Sequence, residues 1–300
     1  MDQNIEYPDG RSAAQSAGQR KNTVLLFSKV PEVGLVKTRL TVLKDGMFPP
    51  ETAAHLYHCM LFDVVEIISA ALADLDAQAR REGAGDTYEL VISTTPASNV
   101  PVMEKLFADA GEWPWPIRFI ADEGASFDEH YNHAFRQCWD GGSDCILSMG
   151  ADMPALTKRD IIFGFQQLHR LDDGAAHPAG GIVLAPDQEM GVSAVGWTRR
   201  TDFDHGGVYY CQDGLTVLPA YIKKAERQGL PALWLPPIPD VDTMADLFHN
   251  VTLVNALMYC AEADDICPPW RTAQAMADMG FGEIRVAPND LRDPRDHIDV

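Results

Sequence analysis

Lys37 and Arg39 lie one residue apart in PEVGLVKTRL (Pro31–Leu40), which follows closely on the apolar run Val24–Phe27. A strand that opens into a Pro/Gly-punctuated loop with two cations can hold a phosphorylated ligand, because backbone N–H groups and positive side chains converge there. That points towards a nucleotide. The spaced glycines and the Gly-Lys-Ser/Thr step of a P-loop are missing, and Gly34 with one lysine is not a motif by itself. The competing reading is an ordinary β-to-α connection whose cations face solvent.

A carboxylate makes the second candidate. Asp152 stands in GADMP (Gly150–Pro154), directly after the apolar run Asp144–Met149. Gly150 permits close approach and Pro154 stops the strand, so Asp152 is well placed for a divalent cation. Mg²⁺ is typically held by one or two carboxylates plus substrate phosphates, so a partner is needed. Asp242, in DVDTMADL, is the candidate partner; simple capping of the next helix, with Thr243 and Asp246, is the alternative. Other polar groups are weaker. His130/His133 and His55/His58 have helical spacing but no evident third ligand, and a partly exposed helix face explains them. Asp202, Asp204 and His205, in TDFDHGG, read as a solvated turn in preference to an acceptor loop. No Gly-x-Ser-x-Gly elbow or nucleophilic cysteine context is present, which argues against covalent hydrolase chemistry.

These residues must be positioned by alternating strands and helices. Strands are expected at Val24–Ser28, Thr87–Thr94, Ile117–Ala121, Asp144–Met149, Gly181–Ala185, Val192–Trp197 and Leu230–Leu235. Helices are expected at Glu51–Leu72, Val100–Ala110, Ser126–Trp139, Thr157–Leu171, Leu215–Arg227, Thr243–Leu257 and around Trp270–Met279. Gly181–Ala185 and Val192–Trp197 are close in sequence across the turn Pro186–Gly191, so they should pair at the edge of an otherwise parallel sheet. Such alternation makes a doubly wound α/β sheet with ligands beyond the carboxyl ends of its strands. The loops after the first, central and last strands carry Lys37, Asp152 and Asp242.

Composition narrows the class. With 46% apolar residues, 300 residues can bury a sizeable core, and a net charge of −20 disfavours a general nucleic-acid or anionic-membrane binder. Six cysteines without a Cys-x-x-Cys pair suit a reduced, cytoplasmic protein. The polar stretch 1–22 reads as a disordered leader, 23–259 as the domain and 260–300 as an appendage rich in Pro and Asp. No run approaches the roughly eighteen apolar residues of a membrane-spanning helix.

LLFSKVPEVGLVKTRL (Leu25–Leu40), LSMGADMPALTKRDI (Leu147–Ile161), IVLAPDQEMGVSAVGW (Ile182–Trp197) and PDVDTMADL (Pro239–Leu247) occur in an order that resembles a family of glycosyltransferase-like proteins. These are uncharacterised transferases of the radical-SAM/selenodomain-associated or arsenosugar type. The resemblance spans roughly Thr23–Tyr259, and its most specific part is Pro-x-x-Gly-x-x-Lys-Thr-Arg-Leu. It implies a three-layer α/β/α nucleotide-diphospho-sugar transferase (GT-A-like) fold, mostly parallel with an antiparallel edge. It further implies that Lys37 and Arg39 contact nucleotide phosphates, with Gly34 letting the loop approach; Ser28 and Gly150 complete the nucleotide-binding set. Asp152 would hold Mg²⁺ or Mn²⁺ and act with Lys37 in catalysis, and Asp242 would be a second ligand or orient the acceptor.

Two stretches depart from the family pattern. Many members carry Asp-Gly-Gly-Tyr where this chain has Asp187-Gln188-Glu189-Met190-Gly191, and His130 occupies the position of a usual Arg. Asp187, Glu189 and His130 therefore become the acceptor candidates, and the added side chains are expected to crowd the site. The expected function is metal-dependent transfer of a glycosyl group from a nucleotide sugar to a small acceptor. The alternatives are a nucleotidyltransferase joining an NTP to a small phosphorylated acid, and an inactive nucleotide-binding scaffold.

Overall fold

The computed structural model describes residues 19–44, 46–209 and 213–284. Seven strands form one sheet in the order β3-β2-β1-β4-β6-β5-β7. β1 (Lys21–Phe27), β2 (Thr87–Thr94), β3 (Ile117–Ala121) and β4 (Cys145–Gly150) are parallel neighbours. β6 (Val192–Thr198) runs antiparallel to both β4 and β5 (Ile182–Pro186), and β7 (Ala232–Trp234) adds parallel to β5. The antiparallel pair is thus present, with β7 outside it. β5 is wholly buried and β6 almost so, and such apolar strands gain from a neighbour on each edge.

Alternate residues of each strand feed two cores, which is why the strands read as continuous apolar runs. Val24, Leu26, Leu90, Ile92, Leu147 and Met149 face α1 (Pro50–Glu82), α2 (Val100–Asp109), α4 (Lys158–Asp172) and α6 (Met244–Cys260). Leu25, Val91 and Ile146 face α3 (Phe127–Asp140) and α5 (Val217–Arg227). The expected α/β/α sandwich results. Ser126 caps α3, and Thr157–Asp160 and Thr243–Asp246 form capping boxes at α4 and α6.

α1 extends ten residues past its expected end, to Gly83 in the left-handed region (φ 67°). By length and composition it is long enough and apolar enough to cross a membrane, contrary to the sequence reading. Most of its apolar window is buried in the sheet core, where such a helix also belongs.

At the ends, the expected leader falls largely outside the described residues, yet Lys21 and Asn22 already belong to β1. Within the appendage, α7 (Trp270–Asp278) buries Ala275 and Met276 in the α1-side core. The Arg271 guanidinium binds Asp63 (3.1 Å) and Glu66 (2.7 Å), clipping α7 to α1. Residues 285–300 of the appendage lie outside the described residues.

His205 is not in a solvated turn; it is fully buried. The rings of Tyr131, Phe135, Trp197 and Tyr209 surround it, and Tyr221 Oη lies 2.6 Å from Nδ1. Burial drives its pKa down to about 3; Lys224 adds to the fall and Asp204 opposes it. An unfolded histidine titrates near 6.5, so below that pH the unfolded chain binds a proton the native state refuses, and stability falls as pH drops. Between pH 6.5 and 5 the stability difference between wild type and His205→Gln should shift by about 1.6 kcal/mol against the wild type, with the slope approaching ~1.4 kcal/mol per pH unit as the unfolded histidine becomes fully protonated. Urea denaturation at each pH checks this, and a pH-independent difference refutes it.

Candidate functional site

A cleft of about 670 Å³ opens across the carboxyl ends of β1 and β4, within the size range of small-molecule sites. Here the sheet changes direction: β1 continues outwards to β2 and β3, and β4 to β6 and β5. Loops leaving β1 and β4 diverge at such a point and leave a crevice.

Lys37 lines it. The buried Val36 and Leu40 anchor the loop, while Val33 and Leu35 stay exposed. Lys37 adopts φ 46°, ψ 38°, and its carbonyl accepts from Leu40 N in the short helical turn Thr38–Leu40. Among the described residues only Lys37 and Met190 (φ 69°) are non-glycine residues with positive φ. A left-handed lysine costs on the order of 1 kcal/mol, which the surrounding structure must offset. Its ammonium lies 2.5 Å from Asp152 Oδ2 and 2.9 Å from Asp242 Oδ1, with the side chain only 6% exposed. Burial alone would lower its pKa, but Asp152 and Asp242 outweigh that and raise it. Asp242 is held below the usual carboxylate range: burial opposes this, and the charge of Lys37 followed by that of Arg39 prevails. Arg39 Nη1 reaches Asp242 Oδ2 at 3.0 Å while remaining 64% exposed.

Backbone ties bring the two carboxylates together. Val241 N donates to Asp152 O (3.0 Å), Ile238 N to Pro186 O (2.9 Å), and Ser193 Oγ to Ile238 O (2.5 Å). The segment after β7 is thereby laid along β5 and β6 as far as Asp152. Thr243 caps α6 and Asp246 closes the capping box, so the Asp242 carboxylate is released from capping and faces Lys37. A Cβ on Gly150 would lie 2.8 Å from Asp152 Oδ1, so glycine there leaves room for the carboxylate to fold back.

The donor set can be tested against a divalent ion. Two carboxylate oxygens reach one point, and hard oxygen ligands of this kind suit Mg²⁺ or Mn²⁺ when phosphate and water complete the shell. Among the described residues no group of three or more His, Cys, Asp or Glu is arranged to hold a metal unaided. Asp240, also lining the cleft, is pushed up to about 7 by burial and by the charges of Asp152 and Asp242.

Towards β2 and β3 the cleft carries a second network, absent from the sequence reading except for Ser28 and His130. Ser28 Oγ and Tyr57 Oη are 3.0 Å apart, and Tyr57 Oη also accepts from Lys29 N. The buried Asp122 takes Ser93 Oγ at 2.7 Å and His130 Nδ1 at 2.6 Å. His133 turns away and accepts from Glu123 N, so the two histidines do not converge. Asp122, Ser93 and Tyr57 carry no local motif; the ends of β2 and β3 were the one available signal for the first two.

The remaining candidates divide. Gly34 (φ 80°) has no heavy atom within 4 Å of an added Cβ, so backbone conformation, not close approach, accounts for the glycine. Gly34 and Glu189 are outside the cleft lining, whereas Ser28, Asp187 and His130 are within it. Asp187 Oδ1 accepts from Glu189 N and Gly191 N, closing the turn. Gln188 Nε2 binds Asp240 and Asp246, so it braces the site from outside. The expected crowding by Glu189 is therefore not found.

No protein-family model matches the chain, and no curated protein matches it by sequence. Solved structures do. A protein from Desulfovibrio desulfuricans G20 assigned as a nucleotide-diphospho-sugar transferase is similar with TM-score 0.60 and 23% identity, over 86% of this chain and 97% of that one. A cytidylyltransferase from Leptospira borgpetersenii gives TM-score 0.44 and 9% identity over 90% of this chain and 100% of that one. The second likeness is too distant to carry an argument. The first establishes the nucleotide-diphospho-sugar transferase fold.

Proposed function

We propose that the chain is a transferase that uses a nucleotide-activated donor and a divalent metal, moving a glycosyl group from a nucleotide sugar to a small acceptor. The observation that carries this reading is the convergence of Lys37, Arg39, Asp152 and Asp242 at the carboxyl ends of β1 and β4. Likeness in fold to a protein assigned as a nucleotide-diphospho-sugar transferase supports it. Breaking a nucleotide sugar leaves negative charge on a diphosphate, and fixed cations in a cleft stabilise charge as it develops. Lys37 and Arg39 bind the donor phosphates. Asp152 and Asp242 would hold Mg²⁺ or Mn²⁺, which when bound neutralises charge on the leaving diphosphate. Asp187 and His130 line the cleft where an acceptor would meet the donor, and Asp122 fixes the imidazole ring.

Thermal unfolding with nucleoside triphosphates, nucleoside diphosphates and nucleotide sugars, each with Mg²⁺, Mn²⁺ or chelator, tests the reading. A ligand at about a hundred times its dissociation constant adds roughly 2.7 kcal/mol, a rise of about 5 °C for a chain of this size. The rise is expected for one nucleotide class, only with metal and only while Asp152 is present; Asp152→Ala should abolish it. Release of a nucleoside diphosphate from a labelled donor marks sugar transfer, and release of pyrophosphate marks nucleotidyl transfer instead. No shift with any nucleotide sinks the proposal.

A further inference from the structure

Asp152 Oδ2 and Asp242 Oδ1 point at a single position, and Lys37 Nζ holds it, 2.5 Å from one oxygen and 2.9 Å from the other. A Mg²⁺ or Mn²⁺ ion bound by both carboxylates would sit about 2 Å from each oxygen. Such an ion would draw on the same two oxygens that the ammonium already holds, so the two cations compete for them. We propose that Lys37 is a tethered cation that competes with the metal for Asp152 and Asp242, so that metal and donor phosphate enter the site together.

This inference rests on the functional reading above for the identity of the phosphate, and on side-chain geometry for the competition itself. Lys37 is enclosed, with 6% of its side chain exposed, and the carboxylates are its hydrogen-bonded partners. It cannot leave them for water without losing both charge-assisted bonds. A donor phosphate changes the balance in two ways. It offers Lys37 another anion in the same cleft, and its oxygens complete a metal shell that two carboxylates leave unfilled. Each ligand thus lowers the cost of binding the other, and by linkage the effect is reciprocal. Arg39 behaves differently: it holds the other oxygen of Asp242 from an exposed position and can swing towards phosphate without uncovering a buried charge.

Competition makes a direct demand on the variants: Lys37→Met removes both the rival for the two carboxylates and its repulsion of a metal cation, and should create a metal site that works without phosphate. Mn²⁺ is titrated onto the full chain and followed by electron paramagnetic resonance of the free ion, with no phosphate present. Lys37→Met should bind Mn²⁺ at least tenfold more tightly than wild type, and Lys37→Met/Asp242→Asn should lose that gain. Lys37→Gln, which keeps a hydrogen-bond donor between the carboxylates, serves the same comparison should the methionine variant fail to fold. Inorganic pyrophosphate is then added, and water-proton relaxation separates Mn²⁺ on the protein from Mn²⁺–pyrophosphate in solution. Pyrophosphate should tighten Mn²⁺ on wild type at least tenfold and on Lys37→Met less than threefold.

Equal Mn²⁺ affinities of wild type and the Lys37 variants without phosphate overturn the competition. So does an equal gain from pyrophosphate in wild type and variant. A protein that shifts with nucleotide yet shows equal Mn²⁺ affinities loses only this inference. A protein that binds no nucleotide but shows the tenfold Mn²⁺ gain loses only the transferase reading.

Discussion

Asp152→Asn should lower the kcat for transfer by about 10²–10³-fold or more, the loss typical when one element stabilising developing charge is removed. Asparagine keeps the shape and a carbonyl oxygen for Lys37 but removes the negative charge. Asp152 is the carboxylate at the end of β4, and it faces Asp242 across the Lys37 ammonium. Without its charge the pair can no longer bind a divalent ion from two sides, and Lys37 is drawn towards Asp242 alone. The fold should survive, since the tie from Val241 N to the Asp152 carbonyl is untouched and Lys37 keeps Asp242 as its partner. A melting temperature within a few degrees of wild type, alongside the steady-state rate, separates loss of chemistry from loss of structure. Retention of more than about a tenth of the activity would remove Asp152 from the proposed chemistry.

Gly196→Ala is expected to destabilise the chain by about 3 kcal/mol, at the upper end of overpacking costs. Gly196 lies in β6 between Leu147 of β4 and Val183 of β5. A Cβ there would stand 2.3 Å from Ile146 O and 3.2 Å from Leu147 Cα. Both are backbone atoms of a central strand, so no side-chain rotation relieves the clash and β4 or β6 must move. A fall in melting temperature of about 5 °C by calorimetry is the expected signature for a chain of this size. Because Gly150 ends β4 and Asp152 lies two residues further on, nucleotide-induced stabilisation should weaken as well. A melting temperature within 2 °C of wild type would show that the sheet absorbs the extra carbon.

Much of this was legible in the chain. The strand at Thr87–Thr94 and that at Ile117–Ala121 have the same bounds in sequence and structure, since an apolar run between polar breaks is a local signal. Caps at Ser126, Thr157 and Thr243 were readable for the same reason: a cap is a contract between residues three apart. The far end of α1 was missed because the apolar periodicity thins out after Leu72, where only Leu75 and Ala79 are buried, although the Ala, Gln, Arg and Glu content of its last ten residues itself favours helix. His205 was misread because Asp, Gly and His side by side resemble a turn, while five aromatic neighbours come from α3, β6 and α5 or their flanks.

By itself the sequence determined the alternation of strands and helices, the two-faced burial of the sheet, and the three loops that carry Lys37, Asp152 and Asp242. Only the tertiary structure decided that these side chains meet. Lys37 is 115 residues from Asp152 and 205 from Asp242, and nothing local reports distances of that length. They meet because β1 pairs with β4, and because the segment after β7 is tied back to Asp152 through Val241. The same is true of Asp122, Ser93 and His130, which meet because β3 lies beside β2 and α3 returns over their ends. Strand order is set by burial of the whole apolar surface at once, a property of the assembled sheet that no single segment encodes.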